Sequence, residues 1–589
     1  MGASQGSSKL NQLTSARLSS LAVEVLEARY LSPLGREGLL ESPSDLFRRV
    51  SVAAVAVEKL ADRSEWEDRF FELISNFRFL PNSPTLMNAG KPGGQLSACF
   101  VLPLEDNLAG IFETLKGAAL IHQSGGGTGF SFSRIRPKGS EVRSSRGAAS
   151  GPVSFIKIFD TATETIKQGG TRRGANMGVL RVDHPDVLEF IRLKRDLASV
   201  TNFNLSVGIT DRFMEALRCC DDFGLIDPVN RREVEKISAQ TIWNELVRAA
   251  WSSGDPGLVF LDRMNFFNPT PAEGFFESTN PCGEQPLLPF ESCNLGSLNL
   301  AAYFVGGEGL LDWDALARDI LSAVRYLDNI IEANVFPLES SSKATLRTRK
   351  IGLGVMGFAD LLLAAGIPYD SSLARQVAET CMGFLNRHAR AASASLAQER
   401  GAFPAFEGSL WQKLGYPPVR NATVSTLAPT GTISLIAGCS SGIEPIFAPV
   451  VERSILDGRK LREVHAGVAK ALKSKGFGGN LEDLSVSDQD RVLARHLGPA
   501  WSPAQNVSVE GHVRMQAAFQ RHSDSAVSKT VNLPAQATEV EVSQAYWLAY
   551  RLGCKGITVF RDKSRPSQVL QRAQPEGDAA ACSRDCPEC

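Results

Sequence analysis

The amino-acid sequence predicts an α/β protein in which a helical N-terminal region precedes one large domain with a closed or long sheet. Short β patterns alternate with amphipathic helical patterns over residues 96–565, and this alternation is typical of α/β domains. Residues 1–95 carry helical stripes only. The regular patterns stop near residue 566, so we expect residues 566–589 to form a flexible, cysteine-bearing tail.

The spacing of apolar residues locates individual elements. Apolar residues three or four positions apart predict helices at 18–26, 46–60 and 316–331, and another helix is expected over 153–167. Strict alternation of apolar with polar or small residues over 203–209 predicts a half-buried strand.

Composition and charge exclude several classes of protein. The 589 residues are 43% hydrophobic and 22% charged, as in folded globular proteins. Lys+Arg 63 against Asp+Glu 64 gives a net charge of -1, so we expect no nucleic-acid partner and no membrane-surface role. No apolar run approaches the ~18 residues of a membrane span and no signal-peptide core is present, which predicts a cytoplasmic protein. Eleven cysteines, an odd number, argue against a disulfide scaffold.

Two glycine motifs match known fingerprints only in part. Gly352-Leu-Gly354-Val-Met-Gly357 has the spacing of a dinucleotide-binding turn, but the residues before it are mostly charged, so tight helix packing is favoured. The turn from Ser124 to Gly129 has the flexibility to approach phosphate, yet it lacks the Lys-Ser/Thr pair of a P-loop. The seven histidines show no metal-binding spacing, so no protein-held metal is expected.

The segment Asn280-Pro281-Cys282-Gly283-Glu284 is the most informative for chemistry. In an extended segment, residues at i, i+2 and i+4 project to one side, so an amide, a thiol and a carboxylate would face one substrate. A carboxylate can accept a proton from a hydroxyl group, and a thiol can act as a nucleophile or radical carrier. Because proline and glycine also favour turns, a turn is an equally good interpretation.

Two further motifs accompany this segment. Residues 422–428 have the pattern of a strand, and Pro429-Thr-Gly-Thr-Ile433 then opens an apolar helical run. Backbone N–H groups at a helix start bind phosphate, although an ordinary threonine-capped helix is the alternative. The other motif is Asn82-Ser-Pro-Thr-Leu-Met-Asn-Ala-Gly90, followed by Ser97-Ala-Cys99.

Together these motifs resemble the ribonucleotide reductases, specifically the adenosylcobalamin-dependent class II enzymes. The resemblance covers nearly the whole chain and extends to Thr530-Val-Asn-Leu-Pro and Gly553-Cys-Lys-Gly-Ile-Thr-Val-Phe-Arg561. It implies a ten-stranded α/β barrel with Cys282 on a central loop. It also implies the reduction of ribonucleotides, most often the diphosphates in long members of the class, to deoxyribonucleotides for DNA synthesis.

The resemblance also implies roles for five residues. Cys282 would become a thiyl radical and abstract the ribose 3′-hydrogen. Glu284 would accept the 3′-hydroxyl proton, and Asn280 would hydrogen-bond the ribose hydroxyls. Cys99 and Cys293 would supply two electrons and end as a disulfide, which is how a dithiol stores a reducing pair. The implied substrate-binding residues are Ser83, Ala98, Cys99, Asn280, Pro281, Cys282, Gly283, Glu284, Pro429, Thr430, Gly431, Thr432 and Ile433.

The source of the radical is inferred from two missing features. None of the seven tyrosines has a tyrosine neighbour, as the radical relay of the two-subunit class requires, and Gly577 lacks the setting of a glycyl radical. Both observations favour adenosylcobalamin, which forms its own radical. A reductase large subunit that uses a separate radical-generating subunit is the alternative. The usual cobalamin signature is missing, so no cobalamin contacts are predicted.

Regulation in the family depends on a deoxynucleotide effector bound at a homodimer interface. Asp106 and Arg136 match the effector-binding positions, although a surface turn and a solvated cation are the alternative. Gln168 and Arg172 lie in the segment that would link effector to substrate, and such coupling is reciprocal.

The C-terminal tail ends in Cys582-Ser-Arg-Asp-Cys586-Pro-Glu-Cys589. One Cys-x-x-Cys pair is half of a structural zinc site, which usually needs four ligands. We favour a redox shuttle, Cys586 with Cys589, that reduces the Cys99–Cys293 disulfide and is reduced in turn by a thioredoxin-like partner. A metal site completed by a second chain, or a vestigial tail, is left open.

Overall fold

The structure, a computed structural model, describes residues 18–34, 39–142, 147–166, 174–454, 460–565 and 570–573. In these residues no helix combines the length and the apolar character needed to cross a membrane. The predicted class is confirmed, because helices surround a large sheet and further helices precede it.

Nine strands of the main sheet form the barrel wall in the described residues. They are Cys99–Leu102, Gly127–Ser131, Asn176–Arg181, Phe203–Ile209, Gly257–Phe260, Ser292–Asn299, Ile351–Met356, Thr530–Leu533 and Gly556–Arg561. The first five are parallel neighbours, and the other four belong to a second parallel group. The groups meet in two antiparallel pairings, between Ser292–Asn299 and Cys99–Leu102 and between Gly257–Phe260 and Gly556–Arg561.

The segment 423–427 supplies the tenth position of the wall. It forms single parallel bridges, Leu353 with Ser425 and Leu427 with Val527, rather than the regular strand predicted for 422–428. Its backbone still bonds to both neighbours, since the N–H of Leu353 donates to Val424 at 2.9 Å and that of Ser528 donates to Leu427 at 2.9 Å. The ring of strands is therefore continuous, as expected for a ten-stranded barrel.

Helices cover the outside of the barrel. Those of eight or more residues are Leu108–Gln123, Pro152–Ile166, Asp211–Cys219, Ala239–Ser253, Trp313–Ala333, Glu339–Thr348, Ser372–Arg400, Ala466–Ser474, Val486–Leu497, Val509–Gln520 and Glu539–Arg551. The helices predicted over 153–167 and 316–331 are confirmed. The strand predicted over 203–209 is also confirmed, but it is buried on both faces except at Asn204, because barrel contents cover one face and helices the other.

The N-terminal region consists of the helices Ser20–Arg29, Pro43–Val55 and Arg63–Ser75. The second begins with a capping box and a proline in its first turn, and it ends five residues before the predicted limit of 60. These helices share one apolar core with Trp313–Ala333, where the rings of Phe70 and Tyr326 meet edge to face at 5.1 Å. The strand Phe79–Pro81 then pairs with the end of Ser292–Asn299 and brings the chain to the barrel.

The described residues also form four small sheets that are separate from the main sheet. They pair Asp222–Ile226 with Glu233–Ser238, Glu141–Val142 with Gly147–Ala148, Ser278–Thr279 with Pro286–Leu287, and Val450–Ser454 with both Lys460–Val464 and Leu570–Arg572. The last strand, Leu570–Arg572, belongs to the segment predicted as a flexible tail, so that segment contains regular structure at 570–572. Residues 574–589 lie outside the described residues.

Candidate active site

A hairpin carries the chemical segment into the barrel. Its strands, Ser278–Thr279 and Pro286–Leu287, are antiparallel, and the first contacts two strands of the barrel wall. At the tip, the Gly283 N–H donates to the Asn280 carbonyl at 3.1 Å, and Gly283 has a φ of +83°. Of the two conformations that the sequence allowed for this segment, the tip therefore adopts the turn and not the extended form.

Gly129 of the wall lets the hairpin approach closely. A Cβ added there would lie 2.9 Å from the Thr279 carbonyl carbon and closer still to its oxygen. Carbon atoms pack at about 3.5–4.0 Å, so a side chain at this position has no room. Glycine at this position thus sets the depth to which the hairpin enters the barrel.

The cavity on one side of the hairpin tip has a volume of about 290 Å³. Twelve of the thirteen predicted substrate-binding residues line it, and the exception is Gly283. Ser83 begins the short helix Ser83–Asn88, and its hydroxyl accepts a hydrogen bond from the Tyr30 hydroxyl at 2.8 Å. The structure thus brings together residues that lie up to 350 positions apart in the chain.

Cys99 and Cys293 occupy directly opposite positions on antiparallel neighbouring strands. Opposite residues in such a pair have Cα atoms about 4.5–5.5 Å apart. Disulfides span about 4.4–6.8 Å between Cα atoms, so the strand geometry is compatible with a bond between them. Both residues are free thiols in the structure, and burial raises the pKa of both well above the ordinary value. The carboxylate of Glu284 also raises both pKa values, so both thiols hold their protons at neutral pH.

The Asn280 amide is fixed at both ends. Its oxygen accepts from the Gln285 N–H at 2.9 Å, and its NH₂ group donates to the Cys99 sulfur at 3.1 Å. Glu284 is 2% exposed, and its backbone carbonyl accepts from the Thr426 hydroxyl at 2.9 Å and from the Ala526 N–H at 2.8 Å. The segment that closes the barrel therefore also holds the carboxylate-bearing residue in place.

The predicted phosphate-binding segment, Pro429–Ile433, also lines this cavity. Thr430 has a φ of +54° and precedes the short helix Gly431–Ala437. Its hydroxyl accepts a hydrogen bond from the Gly442 N–H at 2.7 Å, so it is engaged with a neighbouring loop. The alternative of an ordinary threonine-capped helix is therefore wrong.

Sequence reasoning missed several residues of the cavity wall: Asn82, Pro84, Gly126, Gly127, Ala175, Leu295, Gly296, Ser297 and Ala428. Gly126 and Gly127 belong to the glycine turn that the sequence had linked only to phosphate in general. A Cβ on Gly127 would lie 2.9 Å from the Pro281 ring, so this turn approaches the hairpin tip. A glycine run directly before a strand was the signal that could have identified these two residues.

The other glycine motif has a different role from the one predicted. Gly352 and Gly354 lie inside the buried strand Ile351–Met356, not in a turn between a strand and a helix. A Cβ on Gly352 would lie 2.6 Å from both Leu295 and Thr426, so the glycines allow close strand packing. The expectation of tight helix packing was therefore wrong. The first two glycines lie within the strand itself, and the strand-to-helix turn comes only at Gly357, the last glycine of the motif.

A second cavity, of about 510 Å³, lies on the other side of the hairpin tip. Pro281, Cys282 and Gly283 line it together with parts of five wall strands. Since Cys282 also lines the 290 Å³ cavity, its exposed thiol stands between the two spaces.

The candidate effector residues form an ion pair. The Arg136 backbone N–H donates to Asp106 at 3.0 Å, and its guanidinium donates to the same carboxylate at 2.8 Å. Both side chains are half-buried beside the start of Leu108–Gln123, which differs from a fully solvated cation. Gln168, Arg172, Cys586 and Cys589 lie outside the described residues.

Two family models match the chain. The ribonucleotide reductase barrel domain matches residues 97–418 and 413–560, and the ribonucleotide reductase all-alpha domain matches residues 16–94. The chain therefore belongs to the ribonucleotide reductase family, which confirms the resemblance seen in its motifs.

Among its relatives are two vitamin B12-dependent ribonucleoside-diphosphate reductases. The one from Thermoplasma acidophilum is 45% identical over 95% of this chain and 81% of the relative. The one from Mycobacterium tuberculosis (strain CDC 1551 / Oshkosh) is 46% identical over 95% of this chain and 82% of the relative. The ribonucleoside-diphosphate reductase subunit alpha of Chlamydia trachomatis is 27% identical over 93% of this chain and 59% of its own length.

Proposed function

We propose that this protein is an adenosylcobalamin-dependent reductase that converts ribonucleoside diphosphates to 2′-deoxyribonucleotides. The observation that carries the proposal is the position of Cys282 between two cavities, one of which is also lined by Cys99, the cross-strand neighbour of Cys293. The names of the two vitamin B12-dependent relatives support both the reaction and the cofactor.

In this proposal the smaller cavity holds the substrate. The ribose lies against Asn280, Cys282 and Glu284, and the phosphates lie at Pro429–Ile433. Cys282, as a thiyl radical, takes the 3′-hydrogen, and Glu284 takes the proton of the 3′-hydroxyl. The buried dithiol then gives up two electrons and its protons as the 2′-hydroxyl leaves as water. Protonated thiols suit this role, because hydrogen must accompany the electrons.

The larger cavity fits a nucleoside-bearing cofactor. Its volume lies within the range of about 300–1,000 Å³ that is typical of cofactor sites. Ser206, Thr530 and Asn532 offer it hydroxyl and amide groups, and these residues would hold the adenosyl end beside Cys282. When bound, adenosylcobalamin supplies an organic radical by homolysis of its Co–C bond. Asn204 donates to the Pro281 carbonyl at 2.8 Å and so keeps the Cys282 turn at the cavity rim.

The alternative, a large subunit that depends on a separate radical-generating subunit, is less well supported. The relative that is named as a subunit is 27% identical, against 45% and 46% for the two vitamin B12-dependent relatives.

We further propose a homodimer with an effector site at its interface. Leu108 and Phe112 are exposed one helical turn apart on Leu108–Gln123, and Ile158 is exposed on the helix that packs beside it. Contiguous exposed apolar residues mark association surfaces. The Asp106–Arg136 pair lies at the start of this surface and is a suitable contact for a deoxynucleotide. A thioredoxin-like reductant acting through Cys586 and Cys589, and a cytoplasmic location, stay predictions.

The test is the conversion of CDP to dCDP with dithiothreitol, with and without adenosylcobalamin. We expect product from the wild type only with the cofactor, no product from Cys282→Ala, and wild-type turnover from the control Cys219→Ala, which changes an exposed cysteine at a helix end. Product from Cys282→Ala would refute the radical role. Product that requires a second subunit and no cobalamin would establish the alternative.

A further inference from the structure

The two cysteines of the dithiol differ in their access to the substrate cavity. Cys99 lines the cavity and is 4% exposed, whereas Cys293 does not line it and is fully buried at 0%. The Asn280 amide, which itself lines the cavity, contacts the Cys99 sulfur at 3.1 Å. The Cys293 thiol is directed to the backbone carbonyl of Asn294 at 3.4 Å. A reductant that enters through the cavity therefore meets Cys99 first.

The two cysteines also differ in their charged neighbours. Asn294 pairs with Ile351 in the parallel register, so Cys293 and Lys350 occupy adjacent positions on neighbouring strands. Lys350 is 1% exposed, and its ammonium bonds to Glu291 at 2.5 Å. Burial raises the pKa of Cys293, Lys350 opposes that rise, and Glu284 and Glu291 add to it.

At Cys99 the balance of neighbours is different. Burial again raises the pKa, and Glu284, Cys293 and Cys282 all add to the rise. The hydrogen bond from Asn280 opposes this rise in the pKa of Cys99. A negative charge that develops in this pair is therefore better stabilised on Cys293, beside the buried ammonium.

From access and charge together we infer that the Cys99–Cys293 disulfide is reduced in one direction, by attack on the Cys99 sulfur with Cys293 as the leaving group. Lys350 acts as a positioning residue that stabilises the leaving thiolate. This inference rests on the proposed function, in which turnover oxidises the pair.

The steps balance with a dithiol as reductant. Its first thiolate bonds to the Cys99 sulfur, the Cys99–Cys293 bond breaks, and the electron pair leaves on Cys293. The second thiolate of the reductant then attacks the reductant's own sulfur in the mixed disulfide and releases Cys99 as a thiolate. The two protons of the reductant end on the two cysteines, and the reductant ends as a disulfide. A lower pKa of the leaving thiol speeds the first step.

The first experiment maps the mixed disulfide. Full-length protein with the three tail cysteines changed to serine is allowed one turnover with CDP and adenosylcobalamin in the absence of reductant. It is then treated with 2-mercaptoethanol, quenched in acid, denatured, alkylated with N-ethylmaleimide and mapped by mass spectrometry. We expect the mercaptoethanol adduct on Cys99 and the maleimide on Cys293. An adduct on Cys293 would overturn the inference alone, whereas absence of the disulfide after turnover would refute the proposed function on which it rests.

The second experiment tests Lys350. Lys350→Met is expected to slow the reduction of the preformed disulfide by about tenfold, because the leaving thiolate loses its cation. Lys350→Arg should retain most of the rate, and Lys555→Met is the control that removes a buried ammonium bonded instead to the Asp524 and Ser525 carbonyls. The double variant Lys350→Met/Glu291→Gln removes the ion pair without an orphaned carboxylate and should also be slow. A wild-type rate in the double variant would overturn the role of Lys350.

Discussion

Replacement of Gly129 by alanine tests whether the depth of the hairpin controls activity. The added Cβ would lie 2.9 Å from the Thr279 carbonyl carbon, whereas carbon atoms pack at about 3.5–4.0 Å. The hairpin must therefore retreat by about 1 Å, or the wall must deform by as much. Overpacking of this kind costs about 1–3 kcal/mol of stability, which a folded barrel can absorb. Catalysis is more sensitive, because a displacement of about 1 Å can cost about 100-fold in rate.

The assay is cobalamin-dependent turnover of CDP, measured beside the urea unfolding midpoint. We expect kcat to fall by about 100-fold in Gly129→Ala while the protein remains folded. Gly478→Ala is the matched control, since no atom lies within 4 Å of its added Cβ, and it should turn over at the wild-type rate. Full activity in Gly129→Ala would show that the close approach to Thr279 does not position Cys282.

Two further predictions concern buried groups. Glu58 accepts hydrogen bonds from Arg325 at 2.6 and 2.7 Å, and despite burial these and other donors lower its pKa to about 2. Glu58→Gln should lower the free energy of unfolding by about 3 kcal/mol at pH 7, as measured by urea unfolding. This deficit should shrink as the pH falls from about 4.5 towards 2, because the wild-type carboxylate then becomes protonated. A deficit that is independent of pH would contradict the reasoning. In brief iodoacetamide labelling at pH 7.5, Cys219 should react and Cys381 and Cys554 should not, since burial raises the pKa of each of these two to about 12; equal labelling would contradict the buried assignments.

Periodicity predicted the elements whose partners are local or whose apolar faces are regular. The helix Trp313–Ala333 could be predicted from the sequence because its buried residues recur every three or four positions. Barrel closure by 423–427 was harder to predict, because its bonding partners lie near Leu353 and Val527, some 70 and 100 positions away, and no local pattern encodes them.

In the candidate site, too, local motifs could be predicted from the sequence, whereas features that depend on distant partners could not. Of the thirteen substrate-binding residues that the motifs predicted, twelve line the cavity. The conformation of Asn280–Gly283 could not be predicted in the same way, because a turn and an extended segment have the same sequence signals there. The charged stretch before Gly352 argued against a buried strand there, yet Ile351–Met356 is a buried strand. Lys350 is buried because its partner Glu291 lies 59 positions earlier and is buried with it. Charge in a sequence indicates exposure only when no distant partner neutralises it.

The hairpin tip divides the interior of the barrel into two chambers, and the sulfur of Cys282 lies in the partition between them. In the proposed reaction one chamber generates reactivity and the other uses it, and the transfer between them spans the width of one side chain. The two chambers can therefore diverge independently: lining residues on the cofactor side can change without altering contacts to the sugar, and the reverse also holds. Pro281, Cys282 and Pro429 line both chambers, so these residues have to satisfy both at once.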